Sequence, residues 1–79
     1  MMLKVDGFDD CILGVCEGAA TNALEEEELL VYSSSKIIEK LAKDMTREEA
    51  EEYFTFNILG AYMGTFTPLF VREYDEEDL

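Results

Sequence analysis

Between Ala50 and Tyr62, a set of residues recurs at the spacing of one helical face: Ala50, Tyr53, Phe54, Asn57, Ile58, Ala61 and Tyr62. Thr46, followed three residues later by Glu49, forms a capping box in front of this stripe. Gly64 stands where a helix end favours positive φ. Start, stripe and stop together predict a helix over 47–63. A shorter stripe, Ile37, Ile38, Leu41, Ala42 and Met45, follows the cap-forming Ser33, Ser34 and Ser35, and predicts a helix over 35–44. Period-two patterning replaces helical spacing elsewhere. Cys11–Cys16 and Leu29–Tyr32 have strand character, and Leu69–Tyr74 follows Pro68, a residue suited to a strand's first position. Asp6-Gly7 favours a tight turn. Gly14 points to a bulge or a close backbone approach. The segment 17–28 reads as a connection, either a long hairpin loop or one holding a short helical turn.

The predicted order is β-β-α-α-β. The economical packing is an α+β fold, with a small three-stranded sheet packed on a two-helix pair. Residues 1–79 are read as a single domain ending in an acidic tail, 75–79. The expected core is Ile38, Leu41, Tyr53, Phe54, Ile58, Ala61 and Val71.

Charge changes this picture more than composition does. An apolar fraction of 48% is ordinary for a globular chain, whereas nineteen acidic residues against six basic ones give a net charge of −13. Such a field repels nucleic acid and anionic membrane and attracts basic surfaces, so direct nucleic-acid binding is not expected. No apolar run has the length of a membrane span, and Met-Met-Leu-Lys lacks the apolar core of a secretory signal. A cytoplasmic location in a host cell is the expectation. Cys11 and Cys16 have opposite strand parity and are read as free thiols.

The chain has no histidine, which removes the usual general base and the commonest zinc ligand. No nucleophile–base pair stands out, so no catalytic residue, cofactor or metal is expected. Asp6, Asp9 and Asp10 do not fit the spacing of an EF-hand loop and read as a solvated turn. Asn57 lies within the helical stripe; if buried, its amide needs a partner on a loop or strand edge, the alternative being contact with a ligand. Gly60 and Gly64 suggest close packing of helix against sheet. Phe56, Leu59 and Met63 lie off the stripe and, with Phe66, form either an exposed interaction patch or the edge of a wide buried face.

Carboxylates concentrate at two places. Glu48, Glu49, Glu51 and Glu52 fill the first turns of the second helix, and Glu25, Glu26, Glu27 and Glu28 form a run in the connection. Anions near a helix N-terminus are favoured by its dipole, but Glu48 and Glu52 are a like-charge i,i+4 pair that costs a few tenths of a kcal/mol. Lys36, Lys40, Lys43 and Arg47 place four of the six basic residues around the first helix, so the molecule should be polarised.

The chain resembles a group of small uncharacterised proteins of tailed phages. The likeness is carried by Asp6-Gly7-Phe8-Asp9-Asp10 with Ile12 and Gly14, by Met45-Thr46 with Glu48-Glu49-Ala50 and Glu52-Tyr53-Phe54, by Phe56-Asn57, Gly60-Ala61-Tyr62 and Gly64, and by Thr67-Pro68 with Phe70. Against that group, 17–30 looks expanded and acidic. The resemblance implies a phage origin and transfers no activity and no catalytic residue.

Charge and resemblance together suggest a non-enzymatic inhibitor of host defence, of the anti-CRISPR type. It would act as a DNA mimic that binds a host protein through its basic, nucleic-acid-binding surface. The residues expected to make contact are Glu48, Glu51 and Glu52 on the helix, Glu25 to Glu28 beside them, and Phe56 or Leu59 as an apolar anchor. The alternative is a phage structural or assembly protein acting through homo-oligomers, in the simplest case a homodimer.

Overall fold

A computed structural model describes residues 3–22, 25–61, 67–74 and 77, with side chains except those of 18–22 and 25–27. Strand β1 (Ile12–Asn22) pairs antiparallel with strand β2 (Glu25–Ser33), from Ile12 opposite Tyr32 to Asn22 opposite Glu25. The connection expected over 17–28 is therefore largely strand. Glutamates have low strand propensity, but backbone pairing with the facing strand overrides it, even though the register shifts between Cys16 and Ala19 and again between Ala19 and Asn22. The register shifts between Ile12 and Gly14, which makes Gly14 part of a bulge. Nothing lies within 4 Å of where its Cβ would stand, so no close approach explains the glycine.

Helix α1 (Ser34–Leu41) starts where Ser33 leaves the sheet, and the Ser33 hydroxyl accepts the Lys36 amide at 3.2 Å. The helix is shorter than the periodicity suggests. It tightens at once into i→i+3 bonds, Lys43 N to Lys40 O and Asp44 N to Leu41 O, which satisfy its last carbonyls. Helix α2 (Arg47–Tyr53) begins at the expected capping box. The Thr46 hydroxyl accepts the Glu49 amide at 3.2 Å, and the Glu49 carboxylate accepts the Thr46 amide at 3.4 Å. At Phe54 the winding widens into a π-helical segment (Phe54–Leu59), closed by the Gly60 amide on the Thr55 carbonyl at 3.1 Å. The predicted 47–63 helix is thus two windings that end at Leu59. Tyr62, Met63, Gly64 and Phe66 lie outside the described residues, as does most of the tail 75–79.

The chain returns through strand β3 (Leu69–Val71), which is shorter than the expected 69–74 and lies parallel to β2, Val31 opposite Leu69 and Ser33 opposite Val71. Parallel pairing requires a crossover, and the helices supply it. The sheet order is β1-β2-β3 and the fold is α+β.

Tyr32 is the centre of the core. It is fully buried at 0% exposure, tilts against Phe70 at 5.7 Å between ring centroids, and its hydroxyl accepts the Val5 amide at 2.9 Å. Cys11, Leu30, Ile37, Phe54 and Ile58 complete the buried cluster, with Ile38 and Leu41 half-buried against it. Phe54 meets Phe70 edge to face at 5.5 Å.

Three expected core residues are not in the core. Tyr53, Ala61 and Val71 are exposed. The helix buries only the line Ala50–Phe54–Ile58, because α1 and the sheet cover it from one side alone. Val71 lies on β3 next to Phe70, and alternation sends it to the face away from Tyr32. Gly60 is also exposed. A Cβ there would stand 3.1 Å from the Thr55 carbonyl oxygen of its own turn, so the glycine serves the π closure and not helix–sheet packing.

Candidate functional site

A residue two places along a helix is rotated by roughly 200°, so it projects from the opposite side. Counting from the buried Ala50 and Phe54, Glu52 and Phe56 point away from the core. Phe56 is 77% exposed and Leu59 is 52% exposed. Of the two sequence alternatives for these residues, the structure takes the exposed one.

The π winding arranges this face. In an α-helix a residue four positions on overshoots its partner by roughly 40°. A wider turn takes back the overshoot, so Glu52 and Phe56 fall into one column and Tyr53 and Asn57 into the next. A shallow groove of about 340 Å³ runs between the columns, lined by Met45, Glu49, Glu52, Tyr53, Phe56 and Asn57. Tyr53, 44% exposed, is one of its walls. Asn57 is exposed in that groove and is not a buried tie to a strand edge.

The helix carboxylates are not equivalent. Glu51 pairs with Arg47 at 3.3 Å, four residues back, on the flank away from the groove. Glu49 commits one oxygen to the cap, accepting the Thr46 hydroxyl at 2.9 Å. Among the described residues, Glu48 and Glu52 have no hydrogen-bonding or ion-pair partner. The run Glu25–Glu28 opens strand β2. It is not a loop beside the helix: α2 packs on α1 and continues into the π segment, and it has no comparable contact with β2.

The opposite character gathers around α1. Lys36, Lys40 and Lys43 line a depression of about 290 Å³ with Asp10, Cys11 and Glu39. Lys40 donates to the Gly7 carbonyl at 2.7 Å and to Asp10 at 2.9 Å, and stands over the Phe8 ring at 5.6 Å. Gly7 has φ of +86°, the positive value expected of the Asp6-Gly7 turn. The hydrogen bond from Lys40 holds the Asp10 carboxyl below the usual carboxylate range. Burial, with the Asp10 charge alongside, pushes the Cys11 thiol up, away from the reactive thiolate. Asp9 turns instead to Lys4 at 3.6 Å. Asp9 and Asp10 thus go to separate lysines, and among the described residues no group of three acidic or sulfur side chains converges as a metal site. Cys11 and Cys16 are both free thiols.

No helix among the described residues is long and apolar enough to cross a membrane. Compared with models of known families, with curated proteins and with solved structures, the chain matches none.

Proposed function

We propose that the protein is a small acidic interaction protein of phage type that binds and blocks a basic nucleic-acid-binding surface of a host protein. The observation that carries this reading is Phe56, a large aromatic side chain 77% exposed on the acidic side of its helix. An aromatic side chain set among carboxylates suits a protein interface: the charges steer a basic partner, and the ring supplies desolvated contact area that charge alone does not give. The net charge of −13 supports the same direction of attraction. In this reading Glu48 and Glu52 stand in for phosphates, with Glu51 contributing less because Arg47 already neutralises it. Leu59 widens the contact on the far flank. Glu25 to Glu28, at the opening of strand β2, add to the net negative charge that attracts the partner.

Assembly through copies of this chain is the second reading. It draws on Leu69 and Val71, both exposed on the short strand β3.

Capture from host lysate separates the two. The wild-type chain should retain a nucleic-acid-binding protein and displace DNA or RNA from it in a competition assay. The variant E48K/E51K/E52K should keep its fold and lose both effects. If that variant captures and competes as well as wild type, mimicry through this helix is wrong. A discrete oligomer of the chain alone in light scattering would then favour assembly.

A further inference from the structure

The groove beside Phe56 has a more specific chemistry than an acidic surface. Its lining is apolar or aromatic at Met45, Tyr53 and Phe56, carries carboxylates at Glu49 and Glu52, and includes the amide of Asn57. No lysine or arginine lines it. An apolar side chain seated here would strip water from the carboxylates without pairing them, which costs free energy. An anionic one would be repelled. A cation with a flat, weakly hydrated face satisfies both parts of the lining.

We propose that this groove seats an arginine side chain of a protein partner, its guanidinium stacked on the exposed ring of Phe56 or Tyr53 and hydrogen-bonded to Glu52. Arginine fits better than lysine for a geometric reason. The planar guanidinium offers a face to an aromatic ring and, in the same plane, a fork of N–H donors to a carboxylate. A lysine ammonium is compact and strongly hydrated, and has to give up water to do either. Glu49 has one oxygen in the helix cap and keeps the other for a second donor. The π winding matters because it brings Glu52 into line with Phe56, so that the carboxylate and the ring address the same side chain. The chain already makes a contact of this kind internally, where the Lys40 ammonium stands over the ring of Phe8 at 5.6 Å while bonded to Asp10. The inference rests on the basic-partner reading and narrows it: the critical partner residues are arginines, and the ring opposite them is as important as the charge.

Calorimetric titration with oligoarginine and oligolysine peptides of equal length, at physiological ionic strength, tests this. Oligoarginine should bind about tenfold tighter, the worth of one combined stacking and bidentate contact. Phe56→Ala should remove that preference and leave oligolysine binding unchanged; Glu52→Gln should weaken oligoarginine more than oligolysine. Leu13→Ala, an exposed apolar truncation on β1 outside the groove, should leave the preference in place. Equal binding of both peptides, unaffected by Phe56→Ala, would overturn the arginine groove while leaving attraction to a basic partner intact. Binding of neither peptide would overturn the basic-partner reading and the groove with it.

Discussion

At the scale of single residues, two side chains far apart in sequence join the N-terminal segment to the rest of the fold. Tyr32, on β2, accepts the Val5 amide, and Lys40, on α1, takes the Gly7 carbonyl and Asp10. Asp10 is solvent-exposed, so its pair with Lys40 is modest and salt-sensitive. Its carboxyl is held below its ordinary value of 3.8 in the folded protein. Its contribution is therefore present above the unfolded value and lost as pH falls through the lower, folded one. Asp10→Asn should have a lower Tm than wild type at neutral pH and the same Tm in strong acid, where both side chains are neutral; calorimetry across that range checks it. The cysteines differ for a related reason. Cys11 is buried with its thiol pushed up, whereas Cys16 is half-buried on β1. Under native conditions iodoacetamide should modify Cys16 first and reach Cys11 on the timescale of unfolding, as read by peptide mass spectrometry.

At the scale of elements, the two helix starts were legible and the windings between them were not. Both N-caps are short-range chemistry, a hydroxyl three residues from the amide it accepts, and such signals survive in any tertiary context. Thr46→Ala removes the Glu49 amide's acceptor and the return bond, and should cost about 1 kcal/mol in urea unfolding. Thr46→Ser should restore most of that loss. The π segment left no such mark. Phe54 and Ile58 satisfy α and π spacing equally well, so the pattern does not show where the winding widens. Tyr53 was misplaced for a simpler reason. An apolar stripe predicts which residues prefer burial, but in a domain this thin only one line of them meets a neighbour, and the rest of the stripe becomes surface. That displaced tyrosine is a wall of the candidate groove, whose aromatic half was thus visible as residues but not as a site. The β1–β2 ribbon was hidden in the opposite sense. Glutamates and small residues resemble a loop, and only pairing with the facing strand reveals them as an edge of the sheet.

At the scale of the whole molecule, charge is unevenly spread: Lys36 and Lys40 lie on α1, and Glu48, Glu49, Glu51 and Glu52 lie on α2. The ion pairs of Lys4 with Asp9, Lys40 with Asp10 and Arg47 with Glu51 are all exposed, and because each pair is neutral the whole net charge of −13 remains uncompensated. Screening weakens these pairs and the general repulsion alike, with a Debye length of about 10 Å at 0.1 M salt. With acids in such excess, repulsion is the larger effect, so added salt should raise the Tm; a Tm that falls with salt would mean the pairs dominate. The same surplus supplies the attraction on which the functional account depends, and its central claim is that attraction is focused on one face. The most direct test follows backbone amide shifts of isotope-labelled protein during titration with the oligoarginine peptide. The largest changes should fall at Glu49, Glu52, Tyr53, Phe56 and Asn57 and saturate together. Shifts spread evenly over all acidic segments, or concentrated on the β1–β2 ribbon with Phe56 unmoved, would contradict that claim.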